Sequence, residues 1–149
     1  MRVNIHKIEK KEDEQVLIEC VDMTPEVRDI YSYVTSKGEE LSGWKDGKLC
    51  RFSLRGVYYF EAIDEKVFAY TKQAVYEIKQ RLYMVEDAYR SYHFIRCSKS
   101  MVINLMLLEG ISPALNGRFF AHMKNGESVM ISRQYVPKLK DAVMGEKED

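Results

Sequence analysis

The stretch FIRCSKSMVINL, residues 94–105, decides how the chain is read. A polar cluster, Arg96 to Ser100, stands between an aromatic-rich approach and the apolar run Met101 to Leu105, which only Asn104 interrupts. On alternation, Phe94 and Ile95 lead a strand, and Arg96, Ser98, Lys99 and Ser100 emerge near its end, just before a helical turn. Two cations and two hydroxyls then sit together. Hydroxyls donate to phosphate oxygens, and Arg or Lys reaches either a phosphate or the acceptor edge of guanine. Taken alone, the ordinary reading is a solvated strand end whose serines cap short helices.

Working outward, the chain from residue 41 has the texture of short β segments. LSGWKDGKLCRF holds Asp46-Gly47 between strand-like flanks. YYFEAI (58–63) and VFAYT (67–71) are joined across Asp64-Glu65-Lys66, and AVYEIK (74–79) continues the meander. Leu82, Val85 and Tyr89 fit a short helix over one sheet face. Beyond the cluster, Asn116-Gly117 and Asn125-Gly126 are strong hairpin signals separating ISPAL, RFFAHMK and ESVMISR. Ser132-Arg133-Gln134 is a second basic strand end, opening a terminal helix with Pro137 in its first turn and Val136, Leu139 and Val143 on one side. Only the tail GEKED looks frayed.

The front differs. Residues 2–9 alternate, with Val3, Ile5 and Ile8 apolar, and Val16 to Cys20 reads as a second strand after the charged turn Lys10 to Glu14. A hairpin is expected. Thr24-Pro25-Glu26 then has the marks of a helix start: an N-cap hydroxyl, Pro at the first position and an acid in the first turn. Val27, Ile30, Tyr31 and Val34 follow at helical spacing, with Gly38 placed to end the helix.

The 149 residues, 46% apolar, suffice for one domain with a small appendage. Net charge is zero, but residues 1–40 hold 6 basic against 10 acidic side chains, and residues 41–149 hold 17 against 13. An acidic front joined to a basic body is an asymmetry that accompanies polyanion binding. No signal peptide or membrane span is legible. Cys20, Cys50 and Cys97, odd in number and without a CxxC, read as reduced thiols of a cytoplasmic protein.

No catalytic constellation is present: there is no glycine-rich phosphate loop, HExxH or GxSxG, and His6, His93 and His122 lack metal-ligand spacing. No cofactor is expected. Cys97, between Arg96 and Lys99, reads either as a redox-sensitive thiol favoured by nearby cations or as a strand cysteine turned into the core.

The segment FIRCSKSMVINLMLLEGISPALNGRFFAHMKNGESVMISRQYVPKLKDAV resembles the LytTR family of DNA-binding domains of bacterial transcription regulators. It shows the family's order: Phe and Arg before a short polar triplet, an apolar pair with Asn and Leu, two hairpins, then Ser-Arg before a terminal helix. GVYYFEAIDEKVFAYT matches an earlier family element. The resemblance covers about residues 41 to 145 and implies a mainly β, β-rich α+β fold of small antiparallel sheets with short helices, here preceded by a β-β-α element at residues 1–40. It also implies binding of double-stranded DNA by loops and strand ends. Carried over by position, Lys99 and Arg133 are base-reading residues, Arg96 and Ser100 phosphate contacts, and Lys66 lies in a loop supplying a third contact region. Asn104 matches the motif and is read as structural. Ser98 stands where many members have histidine, so the operator sequence does not carry over.

Many relatives have a receiver domain of a hundred residues or more, whereas some forty precede the body here, too few for a doubly wound phosphoacceptor. The chain therefore resembles the small stand-alone LytTR regulators, which implies a homodimer on repeated half-sites. It also implies a small multi-pass membrane protein as inhibitor and a front that dimerises or docks a partner. The alternative is a non-enzymatic β-rich adaptor whose basic strand ends hold a protein or membrane partner.

Overall fold

The computed structural model describes residues 1–35 and 39–145. Its body is a seven-stranded antiparallel sheet, strand order β2-β1-β5-β4-β3-β7-β6, facing a three-stranded sheet, order β10-β9-β8. The strands are β1 (Glu40–Lys45), β2 (Lys48–Ser53), β3 (Val57–Ile63), β4 (Lys66–Thr71), β5 (Val75–Ile78), β6 (Phe94–Ser98), β7 (Met101–Asn104), β8 (Leu108–Pro113), β9 (Phe119–Met123) and β10 (Ser128–Ile131). Three helices accompany them: α1 (Pro25–Thr35), α2 (Leu82–Ala88) and α3 (Val136–Met144).

The hairpins follow from backbone chemistry. Asp46-Gly47 and Asp64-Glu65 are two-residue turns with positive φ at both positions, the conformation whose twist matches the flanking strands. Asn116 and Gly117 adopt the same left-handed region between β8 and β9.

β3 and β7 are buried on both faces, which is why their sequences read as nearly continuous apolar runs. Phe60 and its partner Val102 face one way, into a core with Leu82 and Val85 of α2, Tyr89 and Phe94. Tyr59 and its partner Ile103 face the other way, into a core with Ala121, Met123 and Ile131 of the second sheet and Leu139 of α3. Asn104 is the buried polar side chain among the described residues. Its amide donates to the Val57 carbonyl at 2.9 Å, and its oxygen accepts from the Met106 amide at 3.0 Å, the structural task expected of it.

At the front, α1 forms where its cap signals place it: the Thr24 hydroxyl accepts from the Val27 amide at 3.3 Å. Gly38 lies outside the described residues. The expected hairpin of residues 2–9 and 16–20 is absent; the only regular element there is a short 3-10 turn, Lys11–Asp13. Val3, Ile5, Val16 and Leu17 stay exposed. Two strands alone bury too little apolar surface to hold a ladder without a third strand or a helix, and no element covers these. The β-β-α front is thus an extended arm followed by a helix. At the other end Val143 is 44% exposed, so α3 buries Val136 and Leu139 but not its last apolar position.

Candidate nucleic-acid interface

The polar cluster is a hairpin tip rather than the approach to a helical turn. Ser98 pairs with Met101, leaving Lys99-Ser100 as the turn between β6 and β7. A bulge between Arg96 and Ser98 makes Cys97 the extra residue of β6. Such a bulge re-aims neighbouring side chains, and Cys97 is fully buried in the second core. Burial pushes its thiol up to about 12 despite the adjacent Arg96, so the core reading of this cysteine holds.

Arg96, expected as a phosphate contact, is engaged by hydrogen bonds within the fold. Its Nε donates to the Ser98 carbonyl at 2.7 Å, Nη2 to the Lys99 carbonyl at 2.5 Å, and Nη1 to Glu86 Oε1 at 3.0 Å. The side chain is only 18% exposed. The guanidinium therefore clamps the turn from beneath and ties it to α2. The Ser98 hydroxyl accepts from the Ser100 amide at 3.2 Å, and the Ala62 amide of β3 donates to the Ser100 carbonyl at 2.8 Å. Held from three sides, the tip presents Lys99 and Ser100 to solvent.

The pairing of Glu61 with Met101 brings the β3–β4 turn beside this tip. Lys66 is the first residue of β4, paired with Ile63, rather than a loop residue. Its Nζ lies 3.9 Å from Glu77 Oε1, an exposed pair of small energetic weight. Asp64 and Glu65 occupy the turn itself, so this third region carries two carboxylates next to its cation.

Arg133 reaches the same end by another route. The Ser132 amide donates to the Cys97 carbonyl at 2.9 Å, joining the end of β10 to β6 one residue before Ser98. Arg133 is exposed in the 3-10 turn Arg133–Tyr135 that leads into α3. Its stem runs over the β8–β9 turn: a Cβ added to Gly117 would stand 2.9 Å from Arg133 Cδ. That turn brings in a further cation, Arg118, whose Nε donates to the Leu115 carbonyl at 3.1 Å. The Asn-Gly signal predicts this turn, but nothing in the sequence ties it to Arg133.

Lys66, Ser98, Lys99, Ser100 and Arg133 thus converge on one end of the large sheet, with Arg96 beneath them. Residues 47–144 match the LytTr DNA-binding domain. The chain belongs to the LytTR family. It is a LytTR-type DNA-binding transcription regulator, and the relatives agree with this at the level of the whole chain. It is 27% identical over 143 residues to an uncharacterized HTH-type transcriptional regulator of Staphylococcus aureus strain MSSA476, covering 95% of this chain and 97% of that one. The counterpart in strain MRSA252 is 26% identical over the same length. Among solved structures, the LytTr DNA-binding domain of a Bacillus cereus protein described as a methyl-accepting/DNA response regulator superposes with a TM-score of 0.66. That match has 24% identity and covers 71% of this chain and 96% of that one, which shows the LytTR fold of mostly antiparallel β structure with short helices.

Other sites are sparse in this LytTR chain. Among the described residues no group of three or more His, Cys, Asp or Glu side chains could hold a metal, and no helix is long and apolar enough to cross a membrane. His122 bridges two serine hydroxyls, Ser112 at 2.7 Å and Ser128 at 2.9 Å, the cross-strand role ordinary for such a residue. Behind the tip, the stacked rings of Tyr59 and Tyr70 donate to Glu127 and Glu61, each at 2.9 Å. Burial and the adjoining carboxylates raise both phenols, Tyr70 to about 12.

Proposed function

We propose that the regulator binds double-stranded DNA through this sheet end, with Lys99 and Arg133 reading base edges. Ser98 and Ser100 donate hydroxyls to phosphates, and Lys66 serves as a flanking contact. Arg96 acts as the positioning residue that holds the Ser98–Ser100 turn. The observation that carries this is the Ser132–Cys97 backbone bond, because it sets two basic points 34 positions apart in the chain at a single end of the fold. Presentation from turns fits the helix arrangement: α1 and α2 are separated by five strands, α2 packs into the core of the large sheet, and α1 touches the body at the turn Arg90–Tyr92 rather than pairing with α2 as a helix-turn-helix.

In this reading the protein is a cytoplasmic, non-enzymatic homodimer on repeated half-sites. Residues 41–149 form the DNA-binding domain, and residues 1–40 dimerise or dock a partner. A small multi-pass membrane protein is the inhibitory partner, and control runs through it rather than through phosphorylation. The arm leaves Val3, Ile5, Val16 and Leu17 exposed, and apolar side chains open to solvent in this number support a docking role.

The test is binding of the purified protein to fragments of its own upstream region against scrambled competitor, over a salt series. Competitor-resistant binding with a steep salt dependence is expected. Absence of binding, or equal binding of every sequence, would overturn the reading in favour of a β-rich adaptor.

A further inference from the structure

A cavity of about 270 Å³ lies between α1 and the body, walled by Ser32 and Tyr33 of the helix and by residues from the 3-10 turns Leu54–Gly56 and Arg90–Tyr92, β6 and β7. Its size falls just under the roughly 300–1,000 Å³ of typical small-molecule sites, which fits a compact ligand rather than a nucleotide or a long-chain lipid.

Arg55 sets its chemistry. The guanidinium lies 3.8 Å from the centroid of the Tyr33 ring and donates to the Tyr33 carbonyl. Its Nε is buried and has no hydrogen-bond partner among the described residues. His93 and Lys124 also line the space, and none of its described lining residues is a carboxylate. The rest of the wall is largely apolar, with Leu54, Phe94 and Met106. Arg55 and Lys124 put two cations on the wall of a largely apolar space, and an anion is the ligand such a lining favours.

We propose that this cavity binds a small organic anion, a carboxylate on a short apolar body, with Arg55 as its counter-ion. The carboxylate lies against the part of the Arg55 guanidinium that borders the cavity, and the apolar body lies against Leu54, Phe94 and Met106. Since Ser32 and Tyr33 belong to α1, occupancy ties the front to the DNA-binding body and makes this an effector site.

Calorimetric titration of the full-length protein, without DNA, tests the site separately from DNA binding. Octanoate is expected to bind saturably at one site per chain. Octanol, inorganic phosphate and the Arg55→Gln variant titrated with octanoate are each expected to bind at least about tenfold more weakly, the size of a lost charge-assisted bond or apolar contact. Lys99→Ala leaves octanoate binding unchanged. If Arg55→Gln fails to fold, Ser91→Trp fills the cavity wall and is expected to lower the affinity as much. No saturable octanoate binding, equal binding of octanol or phosphate, or full affinity in a folded Arg55→Gln or Ser91→Trp protein overturns the proposal.

Discussion

The backbone amide of Ser132 donates to the carbonyl of Cys97 at 2.9 Å. Cys97 is the bulged residue of β6, directly before the Ser98–Ser100 turn, and Ser132 directly precedes Arg133. One hydrogen bond therefore fixes the spacing between Lys99 and Arg133. A two-point DNA reader needs that spacing constant, because base edges are read only when both side chains are in register with the groove.

If Lys99 and Arg133 read bases, Lys99→Ala and Arg133→Ala should each cost about 1–3 kcal/mol on the specific site and relax sequence preference. Competition binding on operator and scrambled fragments measures both. Uniform weakening on all sequences would reassign the residue to phosphate.

Arg96 separates positioning from phosphate contact. As a clamp on the Ser98 and Lys99 carbonyls, Arg96→Ala should lower the melting temperature and weaken specific binding without changing its salt dependence. A phosphate contact would instead make the salt slope shallower by about one unit. Lysine should not rescue the clamp, since it lacks the planar fork that spans two carbonyls and Glu86.

Asn104→Leu should destabilise the fold by about 1–3 kcal/mol, because it leaves the buried Val57 carbonyl and Met106 amide without their partner. Denaturant titration reads this directly.

Gly117→Ala meets two obstacles, a φ of +75 and an Arg133 stem 2.9 Å from the new Cβ. A stability loss of about 1 kcal/mol is expected from the backbone. Specific DNA affinity should fall further than stability accounts for, as Arg133 is pushed aside.

Alkaline pH should destabilise the folded protein. Cys97 and Tyr70 are both raised to about 12 in the folded state, from 9.0 and 10.0, and Tyr59 is raised as well. The folded state thus holds these protons more tightly than the unfolded one. Their contribution is complete below pH 9 and is lost as pH rises from 9 towards 12. Urea midpoints between pH 8 and 11 should fall, and fall less steeply in Cys97→Ala. Native Cys97 should also resist a thiol reagent that labels exposed Cys20.

Much of the fold was legible because local rules specify it. Asp46-Gly47, Asn116-Gly117 and Asn125-Gly126 each mark a hairpin that forms, and Thr24-Pro25 starts a helix, since turn and cap chemistry act within four residues. The arm at residues 2–20 shows the limit of that reasoning. Its alternation is a strand pattern, but pairing needs a covering surface that alternation does not supply.

What the sequence by itself determined is the family order and the identity of the basic tips, which depend on residues near each other in the chain. What only the tertiary structure decided is their arrangement. It turned Arg96 inward, because a carboxylate from α2 and two turn carbonyls converge beneath β6. It buried Cys97 at a bulge and joined Lys99 to Arg133 through a bond across 35 positions. Bonds that span such distances are set by how sheets pack on one another, and no pattern confined to a short window records them.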